Sequence, residues 1–346
     1  MKASWARRIG SILFPVASLA LLLVLGFTAT DVHLAWNALL HVEQGFLLAT
    51  VGCWCAYVGF RALGLVVFCK FQGCGLGLGG ALYVTFIGLF YSGITPAATG
   101  GQPMQVYEMN KRGVHASIGT SAVAFETAGF QFLLVALATV LWVWNRHTIG
   151  ETVSVAKWVL IGGFAMNLVW TVFLGLVLVK GALVARPVEW TLRMLGRAHL
   201  LRNPDGKVAG LRKYVAEYES ILTDMFKRPA LIISCTALSA MQVIAYMSMV
   251  YFIYRGFGWV GMPYGVIVDI QMLLYLVASM VPTPGATGAQ EGSFYVFLGK
   301  VFPESSVFPA MLVWRFFTYY LMLIVGAITL LSGIVRMKRR AKPESG

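Results

Sequence analysis

"TPAATGGQ" (Thr95–Gln102) and "TPGATGAQ" (Thr283–Gln290) share six of eight letters and lie 188 residues apart. Each interrupts an apolar run. Pro96 and Pro284 forbid a continuing helix hydrogen bond. Gly100 and Gly288 permit tight turns. Thr99 with Gln102, and Thr287 with Gln290, have the spacing of a capping box, in which each side chain satisfies a free backbone N–H of a new helix. Each motif therefore predicts a helix break followed by the start of a second, shorter helix.

The surrounding sequence sets the medium. Of 346 residues, 58% are hydrophobic and 12% charged, against about 25% charged in soluble domains. Apolar runs of roughly 20 residues recur, the length that spans a bilayer. Helices are expected near 11–30, 46–67, 117–144, 157–183, 231–255 and 307–335, in one all-α polytopic membrane domain over 1–346. The basic start and first apolar run read as an uncleaved helix rather than a signal peptide. Apolar segments near 79–95 and 264–281 run into the motifs, and shorter, more polar ones near 100–115 and 288–302 follow them. Residues 186–228 carry nine Lys/Arg and five Asp/Glu. Within them Tyr214, Tyr218, Ile221, Leu222 and Met225 recur at helical spacing, an amphipathic helix that lies on the membrane, packs under the bundle, or links in solvent.

Charge decides the topology. If both motif segments cross the membrane, the Lys/Arg apart from Arg315 split 13 to 13 across it. If each motif turns the chain back as a re-entrant hairpin (79–115 and 264–302), 22 fall inside and 4 outside. The positive-inside rule selects the hairpins and places the basic linker and both termini in the cytoplasm. The net charge of +13 is then a membrane signature and not a nucleic-acid one. The 188-residue offset also maps the first repeat, 46–145, onto the second, 231–335, with matched helices running oppositely. That is an inverted-topology repeat, whose site is expected near the midplane between the repeats.

Candidate site residues follow from this. Two half-helix N-termini would face each other and offer N–H donors to an anion. Their residues are Thr95, Thr99, Gly100, Gly101 and Gln102 in one motif and Thr283, Thr287, Gly288 and Gln290 in the other. Glu126 and Arg315 lie about 14 Å and 12 Å inside their helices, by the helical rise of ~1.5 Å per residue. Buried charges there mark a functional site, or they form an ion pair with each other. Glu291 puts a carboxylate beside the second motif where the first has Pro103. Asp269 opens the second hairpin near outer water. The cysteines and histidines show no zinc spacing, and "GCGLGLGG" (Gly73–Gly80) follows a membrane helix, so it is not a nucleotide loop. No cofactor, metal or nucleic acid is expected.

"TPAATGGQP", "VPTPGATGAQEGSF" and "RFFTYYLMLIVG" together resemble the lysylphosphatidylglycerol synthase transmembrane region, the flippase-like or MprF-like membrane domain, over almost the whole chain. The resemblance implies an inner-membrane protein that moves lipids or lipid-linked groups between leaflets. It carries over onto Gly100, Gly101, Gln102 and Pro103, onto Pro284, Gly285, Gly288, Glu291 and Gly292, and onto Arg315. Many relatives place an arginine after the glutamate of the fourth helix; here Thr127 follows Glu126. The chain ends without the aminoacyl-transferase domain fused to some relatives, so synthase activity is not expected. The expected function is transfer of an anionic, phosphate-bearing lipid, with pathway enzymes as further partners and the oligomeric state open. Alternatives are a small-anion or solute transporter, or an accessory of a glycolipid or polyprenyl-lipid pathway.

Overall fold

The computed structural model describes residues 37, 40–152, 157–198 and 203–340; the helix expected over 11–30 lies outside them. All regular elements among the described residues are helical. They are α1 (Gln44–Phe71), α2 (Leu78–Ile94), α3 (Gly101–Asn110), α4 (Ala116–Thr152), α5 (Lys157–Val179), α6 (Ala182–Arg197), α7 (Pro204–Phe226), α8 (Pro229–Gly256), α9 (Tyr264–Ala278), α10 (Ala289–Leu298), α11 (Glu304–Arg315) and α12 (Leu321–Arg340). A π-helical stretch, Phe316–Tyr320, joins α11 to α12. Among the described residues, five stretches are long and apolar enough to cross a membrane: Gln44–Phe71, Ala116–Arg146, Trp158–Val179, Pro229–Gly256 and Glu304–Gly333. The chain is a polytopic, all-helical membrane protein.

Two series share one element order. A long helix leads to a short apolar helix, a motif turn, a ten-residue helix and a further long helix: α1–α2–turn–α3–α4, then α8–α9–turn–α10–α11/α12. The helices flanking each motif pack against each other, as do α1 and α8. We call each short helix pair with its turn an arm. The first arm buries Ala81, Val84 and Met109 against Leu65, Phe68, Ala122 and Val123. The second buries Ile267, Leu273, Phe294 and Phe297 against Val250, Phe308 and Trp314. Trp54, Tyr57, Leu89, Met249 and Phe317 join the two halves. α5 packs one side on α4 and α9 and leaves Trp158, Val169, Trp170 and Val179 exposed, as expected of a lipid-facing helix.

The basic linker is two helices. α7 packs under the bundle: Tyr218, Leu222 and Met225 are buried in the first arm's cluster, and the Tyr214 hydroxyl bonds the Thr120 hydroxyl and the Ala116 carbonyl. α6 buries no residue. Glu189 ties it down by accepting from Arg193 Nη2 at 2.7 Å and from Arg212 Nη2 at 2.6 Å. The Arg212 hydrogen bond is the main reason the Glu189 carboxyl lies below its usual range.

Candidate functional site

Both motifs fold into the same turn. Each proline opens a three-residue 3-10 helix, Pro96–Ala98 and Pro284–Ala286. The two residues after each proline are left-handed: Ala97 (φ 51°) and Ala98 (55°), Gly285 (60°) and Ala286 (49°). An L-residue there costs about 1–2 kcal/mol, so surrounding contacts must hold the turn. Thr99 Oγ1 donates to the Pro96 carbonyl at 3.0 Å, and Thr287 Oγ1 to the Pro284 carbonyl at 2.9 Å. The two turns pack against each other.

The expected capping boxes do not form. Because each threonine is turned back onto its proline carbonyl, neither Thr99 nor Thr287 caps the following helix. The Gly100 N–H donates instead to Thr95 Oγ1 at 2.9 Å, and the Gly288 N–H to the Glu291 carboxylate at 2.6 Å. One donor at each half-helix start is thereby satisfied within the chain.

A Glu126–Arg315 pair does not form either. Arg315, buried at the end of α11, donates from Nε to Glu291 at 2.5 Å, and from Nη2 to the Gly285 carbonyl at 3.1 Å and to Thr287 Oγ1 at 3.2 Å. It therefore clamps the second turn. Glu126 accepts from Arg61 Nη2 at 3.0 Å and from Gln242 Nε2 at 3.1 Å. Arg61 Nη1 reaches the Tyr57 hydroxyl at 3.2 Å. Glu126 thus takes its cation from α1, while the position after it is Thr127, whose hydroxyl accepts from Gln102 Nε2 at 3.2 Å. Asp269 is not at outer water: it is fully buried, and neither carboxylate oxygen has a hydrogen-bond partner.

Both ion pairs border one cavity of about 310 Å³ between the arms. Of the expected residues, Gln102, Glu126, Thr283, Gln290 and Arg315 line it. Thr95, Thr99, Gly100, Thr287, Gly288 and Glu291 shape the turns behind its wall. Gly101 lets α3 approach α2, since a Cβ there would collide with Ser92 Oγ. Sequence reasoning missed Arg61 and the tyrosines Tyr57, Tyr246, Tyr275 and Tyr319, all of which line the cavity. The signal for Arg61 was present. α1 runs on to Phe71, so Arg61 lies about 15 Å from its C-terminal end by the rise per residue, too far for a membrane-edge charge. The i, i+4 spacing of Tyr57 and Arg61 puts both on one face. On its far side the cavity is bounded by Trp170 and Leu174 of α5, and the Trp170 side chain is also exposed on the outside of the bundle. No group of three or more His, Cys, Asp or Glu among the described residues is placed to hold a metal.

No curated protein matches the chain. The profile described as the lysylphosphatidylglycerol synthase TM region matches residues 10–326. That span holds α1 to α11, both motif turns and every residue of the cavity, so the chain belongs to the lysylphosphatidylglycerol synthase transmembrane-region family.

Proposed function

We propose that the protein is a flippase-like transporter that moves a phosphate-bearing lipid or lipid-linked group between the leaflets of the cytoplasmic membrane. The observation that carries this reading is the cavity: the guanidiniums of the part-buried Arg61 and the buried Arg315 line it, and so do Trp170 and Leu174 of α5, a helix with many exposed apolar side chains. A head group needs the first and an acyl tail needs the second. Arg61 Nε has no hydrogen-bond partner, and Arg315 Nη1 takes no acceptor among the described residues. Arg315 Nη1 is free for a phosphate oxygen, while Arg61 Nε is enclosed and Arg61 contributes through its charge; a planar guanidinium fork suits phosphate.

In this reading the arms are re-entrant, the two series are an inverted repeat, and the first arm opens to the cytoplasm while the second opens outward. The basic linker and both termini lie inside, consistent with the charge distribution. Alternating access then moves the two halves about a fixed central site.

The test is a leaflet-resolved assay in proteoliposomes holding a fluorescent-tailed phospholipid with an anionic head group. Quencher added outside should reach the inner-leaflet pool over time only when the protein is present. Arg61→Leu and Arg315→Leu variants that remain folded should be at least tenfold slower. Uptake of a water-soluble anion without lipid movement would favour a solute carrier and reject the flippase.

A further inference from the structure

The cavity holds more chemistry than a phosphate uses. At about 30 Å³ per water, its 310 Å³ corresponds to roughly ten waters. Its formal charge is balanced, because Arg61 is paired with Glu126 and Arg315 with Glu291. Its wall is aromatic along one side. Tyr57 packs at a tilt against Tyr246 with 4.9 Å between ring centroids, Tyr246 meets Tyr275 at 5.8 Å, and Tyr275 meets Phe130 at 6.2 Å. The lining also holds neutral hydrogen-bonding groups, among them Gln102, Thr127, Gln131, Thr283, Gln290 and Thr318.

One of these carries the argument. Gln290 is 6% exposed, lines the cavity, and its Oε1 has no hydrogen-bond partner. An unsatisfied buried acceptor costs about 1–3 kcal/mol, and a ligand that offers a donor removes that cost. A phosphate oxyanion offers none. An ammonium group would, but the carboxylates that should hold it are taken: Glu126 by Arg61 and Gln242, Glu291 by Arg315 and the Gly288 N–H. Two guanidiniums in the same space would also repel it. Hydroxyl groups both donate and accept, and a sugar ring presents apolar C–H faces to aromatic rings.

Resting on the flippase reading, we propose that the transported head group is a glycosyl phosphate. Its phosphate lies at the free Nη1 donor of Arg315 and in the field of Arg61, its ring lies along the tyrosine wall, and a hydroxyl donates to Gln290 Oε1.

The experiment uses the full chain in proteoliposomes with three lipids of identical tails. Their head groups are a phosphate monoester, an ethanolamine phosphate and a hexosyl phosphate. The hexosyl phosphate should cross fastest, by roughly tenfold, which corresponds to ~1.4 kcal/mol of recognition or about one well-made hydrogen bond. Gln290→Met keeps the side-chain length and removes the amide, and it should bring the ratio of hexosyl to plain phosphate rates towards one. Tyr275→Phe keeps the ring and serves as a second variant that should fold and retain part of the preference. Equal or faster movement of either other lipid overturns the proposal, as does an unchanged ratio in folded Gln290→Met protein. If no lipid crosses, the transport reading has failed on its own, and thermal-shift titration then decides the head group. Stronger stabilisation by a soluble hexose phosphate than by inorganic phosphate supports the proposal; equal or no stabilisation rejects it.

Discussion

The two arms are built on nearly the same eight letters and turn on the same backbone, yet they are held differently. In the second arm Arg315 reaches in from α11 and binds Glu291, the Gly285 carbonyl and the Thr287 hydroxyl together. In the first arm the matching position is Thr127, and a single side-chain bond from Gln102 ties the arm to α4. Its turn relies on Thr95, which accepts from the Gly100 N–H and donates to the Tyr91 carbonyl at 2.6 Å. After the turns the backbones part. Thr99 and Gly100 stay right-handed, whereas Thr287 is extended and Gly288 reaches φ 88°. A repeated motif thus encodes a turn that borders the cavity in both copies, through Ala97 and Ala98 and through Gly285 and Ala286, while residues outside it decide which copy is clamped by a guanidinium and which is not.

The largest effect should be on sidedness, because the comparison assumes that the arms enter from opposite faces. After replacement of the five native cysteines, single cysteines at 111 and 205 should resist an impermeant reagent added outside, and one at 304 should react. Reaction at 205 would remove the opposed-arm topology, and with it the inverted repeat.

Next is the clamp. Arg315→Leu leaves Glu291 buried and unpaired, and breaking one side of a buried pair costs about 3–5 kcal/mol. Adding Glu291→Leu should recover most of that, since a well-packed apolar pair replaces a buried ion pair at little cost. Thermal unfolding in detergent measures both. In the first arm Gln102→Leu should cost less than about 1.5 kcal/mol, the net worth of one neutral hydrogen bond. Equal losses from Arg315→Leu and Gln102→Leu would erase the asymmetry.

The sequence showed much of this and hid a specific part. The break at each proline, the short helix after it and the long flanking helices were legible, because proline chemistry and apolar length act locally. The partners of Arg315 and Glu126 were not. Both carboxylates are within reach of an inward-pointing arginine, and the packing of α1 on α4 brings Arg61 to Glu126 while Arg315 meets Glu291. The tyrosine wall was hidden for a related reason. Tyr57, Tyr246 and Tyr275 come from α1, α8 and α9, and each alone reads as an ordinary core aromatic. The threonine capping boxes failed because each threonine bonds backwards to its proline carbonyl; in the second motif Glu291, for which capping is one of three readings beside carrying a proton or holding a cation, takes the Gly288 N–H instead.

The last test concerns the turn itself, where the copies differ by one methyl group and the smallest effect is expected at Ala97. Gly285 and Ala97 occupy equivalent left-handed positions. A Cβ on Gly285 would run into the Tyr319 ring, whose hydroxyl donates to the Gly93 carbonyl of the first arm at 3.1 Å. Gly285→Ala should therefore cost about 1–3 kcal/mol from overpacking, with about 1–2 more from the left-handed backbone. Ala97 already carries its methyl and borders open cavity. Ala97→Gly relieves the left-handed strain but gives the unfolded chain more freedom to lose. The two terms oppose, and the melting temperature should shift by an amount worth less than about 1 kcal/mol. A loss from Ala97→Gly as large as that from Gly285→Ala would mean that the first turn is packed as tightly as the second, and that the contrast between a clamped and an unclamped arm is false.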